Sequence, residues 1–166
     1  MTTTTEGVPT HRLTATQVWR AVRKASFADL AYVTPSGEPR TSGVVYKVKD
    51  HRLYVAVAPD SWKAKHVAAN RRVAVTVPVR RGGVLALVLP IPPATISFHG
   101  TATVHPPGAP EIGAVLDALG SLLPPERRGS AAVIEIEPVG AFVTYGIGIP
   151  LRQMQDPERA RARVAV

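Results

Sequence analysis

Apolar side chains recur at every second position through most of this chain, the period of a half-buried β-strand. Residues 30–34 form the first such segment. Pro35-Ser36-Gly37-Glu38-Pro39 then reads as a hairpin turn. Across residues 41–49, Val44, Tyr46 and Val48 fall on one face and Val45, Lys47 and Lys49 on the other. Asp50-His51 makes the next turn. Residues 52–58 set Leu53, Val55 and Val57 against Tyr54, Ala56 and Ala58. Val73, Val75, Val77 and Val79 mark a fourth strand. Residues 84–89 continue as strand until Pro90-Ile91-Pro92-Pro93 interrupts them. Thr95, Ser97, His99, Thr101 and Thr103 alternate with Ile96, Phe98, Gly100, Ala102 and Val104, which predicts one wet and one buried face. The last strands are expected over 132–138 and 141–145, split by Val139-Gly140.

Helical spacing is confined to a few places. Residues 14–25 carry Val18, Trp19 and Val22 as an apolar stripe, start at Thr14 or Thr16, and present Arg20, Arg23 and Lys24 on the other side. Residues 61–69 read as a short helix capped by Asp60 or Ser61 and stopped at Asn70 in a left-handed turn. Residues 111–123 form an amphipathic helix that Pro124-Pro125 ends, with Arg127 and Arg128 in a loop. Beyond Gly146, Gly148 and Pro150, Asp156 and Pro157 suit the start of one or two helical turns. Strands in hairpin order with few, separated helices predict a mainly β fold, a closed or nearly closed antiparallel barrel of about six to eight strands. Residues 1–11 are polar and threonine-rich and read as a disordered segment. Residues 12–150 read as the single domain, and 151–166 as a C-terminal tail.

Composition narrows the chemistry. The 166 residues contain no cysteine, which removes disulfides, thiol catalysis and cysteine-based metal sites and fits a cytoplasmic setting. No apolar run approaches the roughly 20 residues of a membrane span. The formal charge of +8 is spread along the chain rather than interleaved with aromatics, so it favours small anionic ligands over nucleic acid. The five histidines lack zinc-site spacing and acidic neighbours, and no metal site is expected. No nucleophile elbow, paired carboxylates or dinucleotide glycine fingerprint is present. An enzyme built on this sequence needs a bound cofactor to supply its reactivity.

The start of the helix at 61–69 carries the sharpest signal. Lys63 and Lys65 lie in its first turn, at the positive end of the helix dipole, where cations are disfavoured. A hydroxyl, unpaired N–H groups and two ammoniums at one helix start suit an anion such as phosphate.

This region resembles the flavin-binding split-barrel family, the pyridoxamine 5′-phosphate oxidase-like group. The likeness rests on Gly37-Glu38-Pro39-Arg40 before the second strand, and on Lys47 late in it. It also rests on Ala58-Pro59-Asp60-Ser61-Trp62-Lys63 leading into the helix, Asn70-Arg71-Arg72-Val73 after it, and Gly100-Thr101-Ala102-Thr103-Val104. The resemblance implies a split-barrel homodimer with cofactor sites at the subunit interface. It implies FMN as the cofactor, with the 8-hydroxy-5-deazaflavin coenzyme or heme as the alternatives used by related branches. By position, Ser61 and Lys63 would hold the phosphate, and Lys47 would approach the phosphate or ring edge. Arg40, the backbone around Ser42, Gly43, Val44 and Val45, and Val57 and Ala58 would line the site. Trp62 stands where the phosphate-binding oxidases often carry arginine, and adds a stacking surface in its place. The C-terminal arginine- and histidine-bearing signature that reads pyridoxamine phosphate is not visible. The expected activity is therefore that of a flavin- or deazaflavin-dependent oxidoreductase acting on a small conjugated substrate. The alternative is a non-catalytic flavin-, heme- or tetrapyrrole-binding barrel.

Overall fold

A computed structural model describes residues 13–81, 93–120 and 123–166. The N-terminal segment and the strand expected over 84–89 lie outside the described residues. Eight strands form one antiparallel, curled sheet, the half-barrel of a split-barrel fold, with few helices. The strands are β1 (Phe27–Val33), β2 (Pro39–Val45), β3 (Lys47–Lys49), β4 (Arg52–Val57), β5 (Arg72–Val79), β6 (Ala94–His105), β7 (Ala132–Tyr145) and β8 (Arg161–Ala165). Their order is β2-β1-β5-β6-β7-β4-β3, with β8 added beside β7. The two ends of this order, β2 and β3, are consecutive in the chain and separated only by Tyr46.

Tyr46 is the bend that lets one segment leave one edge of the sheet and join the other. Its N–H donates to Ser26 O at 3.1 Å, and its hydroxyl donates to Val22 O at 2.7 Å. The side chain is buried, and burial raises its phenol pKa. The alternation of residues 41–49 thus holds across the bend, with Val44 and Tyr46 facing the core.

The core lies inside the curl. Leu30, Val44, Leu53, Val55, Val73, Val75, Ile96, Phe98, Ile134 and Phe142 form it together with Val18, Trp19 and Val22 of helix α1 (Ala15–Lys24). Helix α1 begins at Thr14 through a capping box with Gln17, which satisfies two backbone groups reciprocally. Helix α2 (Trp62–Ala69) is capped by Ser61 and buries Ala64 and Val67. Asn70 ends it in an extended conformation, φ −134°, not in the expected left-handed turn. Its side-chain oxygen accepts from the Arg72 N–H at 3.1 Å, a local bond that replaces the left-handed stop.

Three further departures from the sequence pattern have physical causes. The strands expected over 132–138 and 141–145 are one strand, β7. Ser97 pairs with Val143 and His99 with Val139, so a bulge absorbs the interruption, with Gly140 at φ +79°. The helix expected over 111–123 is a 3₁₀ turn at Pro110–Ile112 followed by α3 (Gly113–Leu119). Pro125 opens a helical turn, α4 (Pro125–Arg128), where a loop was expected. Arg128 Nη2 donates to Gly120 O at 2.7 Å and ties α4 back to α3. Beyond Asp156, which caps α5 (Pro157–Ala160), the chain forms β8, paired from Arg161 to Ala165 against Tyr145 to Ala141. Arg81 fastens this end, donating to Met154 Sδ at 2.8 Å and to Ile149 O. No described helix is long and apolar enough to cross a membrane.

Candidate functional site

Helix α2 starts where β4 ends, so its N-terminus sits at the rim of the sheet beside the β2 edge. Ser61 is extended (φ −62°, ψ 145°), and its Oγ accepts from the Ala64 N–H at 3.3 Å. Capping uses one lone pair. The hydroxyl proton stays available, and so do the N–H groups of Trp62 and Lys63, which have no intrahelical acceptor. The first turn contains no acidic residue.

Lys63 points into a cleft of about 270 Å³. Gly43, Val44 and Val45 of β2 form one wall, and Val55 and Ala56 of β4 form the floor. Leu119, Leu123, Pro124 and Arg127 close it from the segment that carries α3 and α4. Burial of the ammonium lowers the Lys63 pKa from its ordinary value. Among the described residues Lys63 has no carboxylate partner, and neither does Arg127; the ion pairs present lie elsewhere. A cleft lined mostly by aliphatic residues, with two cations unpaired among the described residues, is chemically suited to an anion.

Of the residues singled out by sequence, Gly43, Val44, Val45 and Lys63 meet in this cleft, with Ser61 at its helix cap. Ser42 lies one position along β2 and is hydrogen-bonded to the Tyr32 hydroxyl at 3.1 Å. Val57 pairs with Ala132 at the end of β4, and Ala58 O accepts from the Ser61 N–H at 3.1 Å. Arg40 is exposed and paired with Glu38 at 2.9 Å. Lys47 lies past the Tyr46 bend, in register with Tyr54. Trp62 is 74% exposed and points away from the cleft lining. A Cβ at position 43 would stand 2.9 Å from the exposed Phe27 ring, so a larger residue there would push that ring aside.

Sequence reasoning missed Val55, Ala56, Leu119, Leu123, Pro124 and Arg127. The first two were assigned to a strand whose faces were expected to differ. In fact Leu53, Tyr54 and Val55 are all buried, because Ile112, Val115 and Leu119 cover Tyr54 from outside the barrel. The apolar stripe of residues 111–123 was the available signal, but nothing in it says which strands it covers.

The family model described as Pyridoxamine 5′-phosphate oxidase matches residues 15–145, and the chain belongs to this family. No sequence among curated proteins matches. Among solved structures, the heme storage protein HutZ from Vibrio cholerae is similar at 15% identity. The match covers 82% of this chain and 97% of that one, with a TM-score of 0.65. An F420 reductase is similar at 19% identity, with 74% and 93% covered and a TM-score of 0.56. An FAD-binding protein from Mesorhizobium loti is similar at 19% identity, with 76% and 88% covered and a TM-score of 0.59. Identities this low establish a shared fold.

Proposed function

We propose that the cleft at the start of α2 binds a phosphate-bearing flavin or deazaflavin, and that the chain is an oxidoreductase acting on a small conjugated substrate. The observation that carries this reading is Lys63, half-buried in a cleft lined mostly by aliphatic residues, with no carboxylate partner among the described residues. The residues fit such a group. The Ser61 hydroxyl, the N–H groups of Trp62 and Lys63, and the Lys63 ammonium suit a phosphate, which the helix dipole also favours. The edges of β2 at Gly43, Val44 and Val45, with Val55 and Ala56, suit a flat apolar ring. The cofactor, FMN in the simplest case, would supply hydride or electron transfer. The protein's own residues bind, orient and exclude water, and Leu119, Leu123 and Pro124 do the last of these from above the cleft.

A homodimer belongs to the same reading. Gly43, Asp29, Thr76, Ser97 and Val143 lie in one row across the outer face of the sheet. Phe27, Val45, Val139 and Val143 are exposed on it. A second copy covering this face would also cover the open side of the cleft at Val45. Val143→Asp should then convert the dimer to monomer in sedimentation.

The decisive experiment is an absorbance and fluorescence titration of the purified chain with FMN and, separately, with the 8-hydroxy-5-deazaflavin coenzyme. Saturable binding of one, followed by multiple-turnover reduction of an acceptor, supports the reading, and binding of neither overturns it. A second reading, non-catalytic heme or tetrapyrrole binding, draws on the likeness to HutZ. A Soret shift on titration with hemin, with no response to either flavin, would replace the first reading with this one.

A further inference from the structure

Residues paired across antiparallel strands put their side chains on the same face, so the registers map the outer face of the sheet. One row runs Gly43, Asp29, Thr76, Ser97, Val143 and Arg163, in the strand order β2-β1-β5-β6-β7-β8. Two residues along, Val45 pairs with Phe27 at one end, and Tyr145 pairs with Arg161 at the other. The two ends differ in charge. The β2-β1 end has the exposed carboxylate of Asp29 beside the exposed side chains of Phe27 and Val45. The β8 end has Arg161 and Arg163, both exposed. Val164 lies on the other side of β8 and packs against the core, which holds the strand with its arginines outward. Asp29, Arg161 and Arg163 have no ion-pair partner among the described residues. Thr76 and Ser97, in the middle of the row, are hydrogen-bonded to each other at 3.1 Å.

A face with a carboxylate and apolar groups at one end and cations at the other is complementary to itself turned end for end. A two-fold axis along the strands, between β5 and β6, makes that turn. It sets β2 of one copy against β8 of the other. Asp29 then comes within reach of the partner's Arg163, and Val45 and Gly43 face the partner's Arg161 and Arg163. Gly43 and Val45 are also the wall of the Lys63 cleft. We propose that two copies join through this face and that the partner's Arg161 and Arg163 complete the cleft in trans, adding two cations at its open side. This inference rests on the reading of the cleft as an anion site. It gives the C-terminal strand a part in binding that its own copy cannot supply, because β8 and β2 stand at opposite ends of the row.

The chain has no cysteine, so introduced thiols report without background. Full-length Val45→Cys and Arg161→Cys chains are mixed, allowed to exchange subunits and oxidised. A disulfide between the two chains is expected. Lys24→Cys, on the exposed side of α1, should not cross-link to Arg161→Cys. A second arm uses FMN as the probe. Arg161→Ala combined with Arg163→Ala should weaken FMN binding roughly tenfold, the low end for a hydrogen bond to a charged group. Lys63→Ala weakens it from the other side. Mixing these two defective chains should restore one tight site per dimer, where the intact cleft of one meets the intact arginines of the other. Mixtures that stay weak, or FMN affinity untouched by loss of both arginines, would overturn completion in trans. Absence of the cross-link between positions 45 and 161, or a monomer at every concentration, would overturn the joined face. Cross-linking without FMN binding by any form would uphold the joined face and overturn the cleft reading.

Discussion

Two surface clefts among the described residues differ in character, and the larger of the two is the less chemical. The larger, about 390 Å³, lies between α1 and the Asp50-His51 turn, where Ala15, Thr16, Trp19, Arg23, His51 and Val166 meet. Its floor is Trp19, held edge-on by His51 at 5.0 Å and Phe142 at 5.2 Å. Asp50 and His51 both have positive φ, 47° and 58°, as the centre of a tight two-residue hairpin requires. Here the aromatic side chains are spent on packing. The smaller cleft, about 270 Å³, has no aromatic floor but contains an ammonium whose pKa burial has lowered. The difference is why the smaller cleft, with its partly desolvated charge, and not the larger, carries the binding proposal.

The largest expected effect tests the structural side of this contrast. Trp19→Ala should cost about 3–5 kcal/mol of stability, the range for truncating a buried aromatic, in a denaturant melt. Cofactor affinity of the folded fraction should hardly change. Lys63→Ala should do the reverse. It should weaken FMN binding by about 1.5–3 kcal/mol in calorimetry, the value of a hydrogen bond to a charged group. The melting temperature without ligand should stay level or rise, because a partly desolvated, unpaired charge is removed. If both variants lost binding equally, the contrast between the clefts would be broken.

The pH dependence sharpens it further. The Lys63 pKa is lowered in the folded chain, so the unfolded chain binds more protons between the two values. Stability from this group therefore rises with pH across that window. Affinity for an anion moves the other way, falling as Lys63 loses its proton. Titrations at increasing pH should show this fall, and Lys63→Arg should shift it out of the accessible range. The smallest effect is expected at Arg127, which is exposed at the cleft rim. Arg127→Ala should weaken anion binding by about 0.2–1 kcal/mol, and the loss should shrink with added salt.

What could be read from the sequence was local. The α2 start is legible because cap, cations and first-turn N–H groups are set by neighbours within four residues. The face of β6 is legible because Ile96, Phe98 and Ala102 need only a period of two to be placed inside. The segment over 110–128 was not, since Leu119 reaches the cleft through a cluster that includes Tyr54, far away in sequence, and Arg127 arrives there on α4, which Arg128 ties back to α3. The unity of β7 was hidden for a related reason. Gly140 looks like a break until β6 supplies a bulge opposite it. β8 was missed although Arg161, Ala162, Arg163 and Val164 alternate polar and apolar, because so short a run does not mark a strand without the β7 edge that it pairs with. Arg40 and Lys47 show the converse, since position within a motif did not bring either to the cleft lining.

The passage of the chain through Tyr46 has a consequence for cooperativity. Edge strands normally fray first and independently, because each loses few contacts on leaving the sheet. Here the two outermost strands, β2 and β3, are joined by a single buried residue anchored to both the loop before β1 and the end of α1. Neither can open far without pulling on the other, so β2 and β3 should exchange their amide hydrogens as one unit. The wall of the cleft at Gly43 and Val44 therefore inherits the opening free energy of the opposite edge of the barrel.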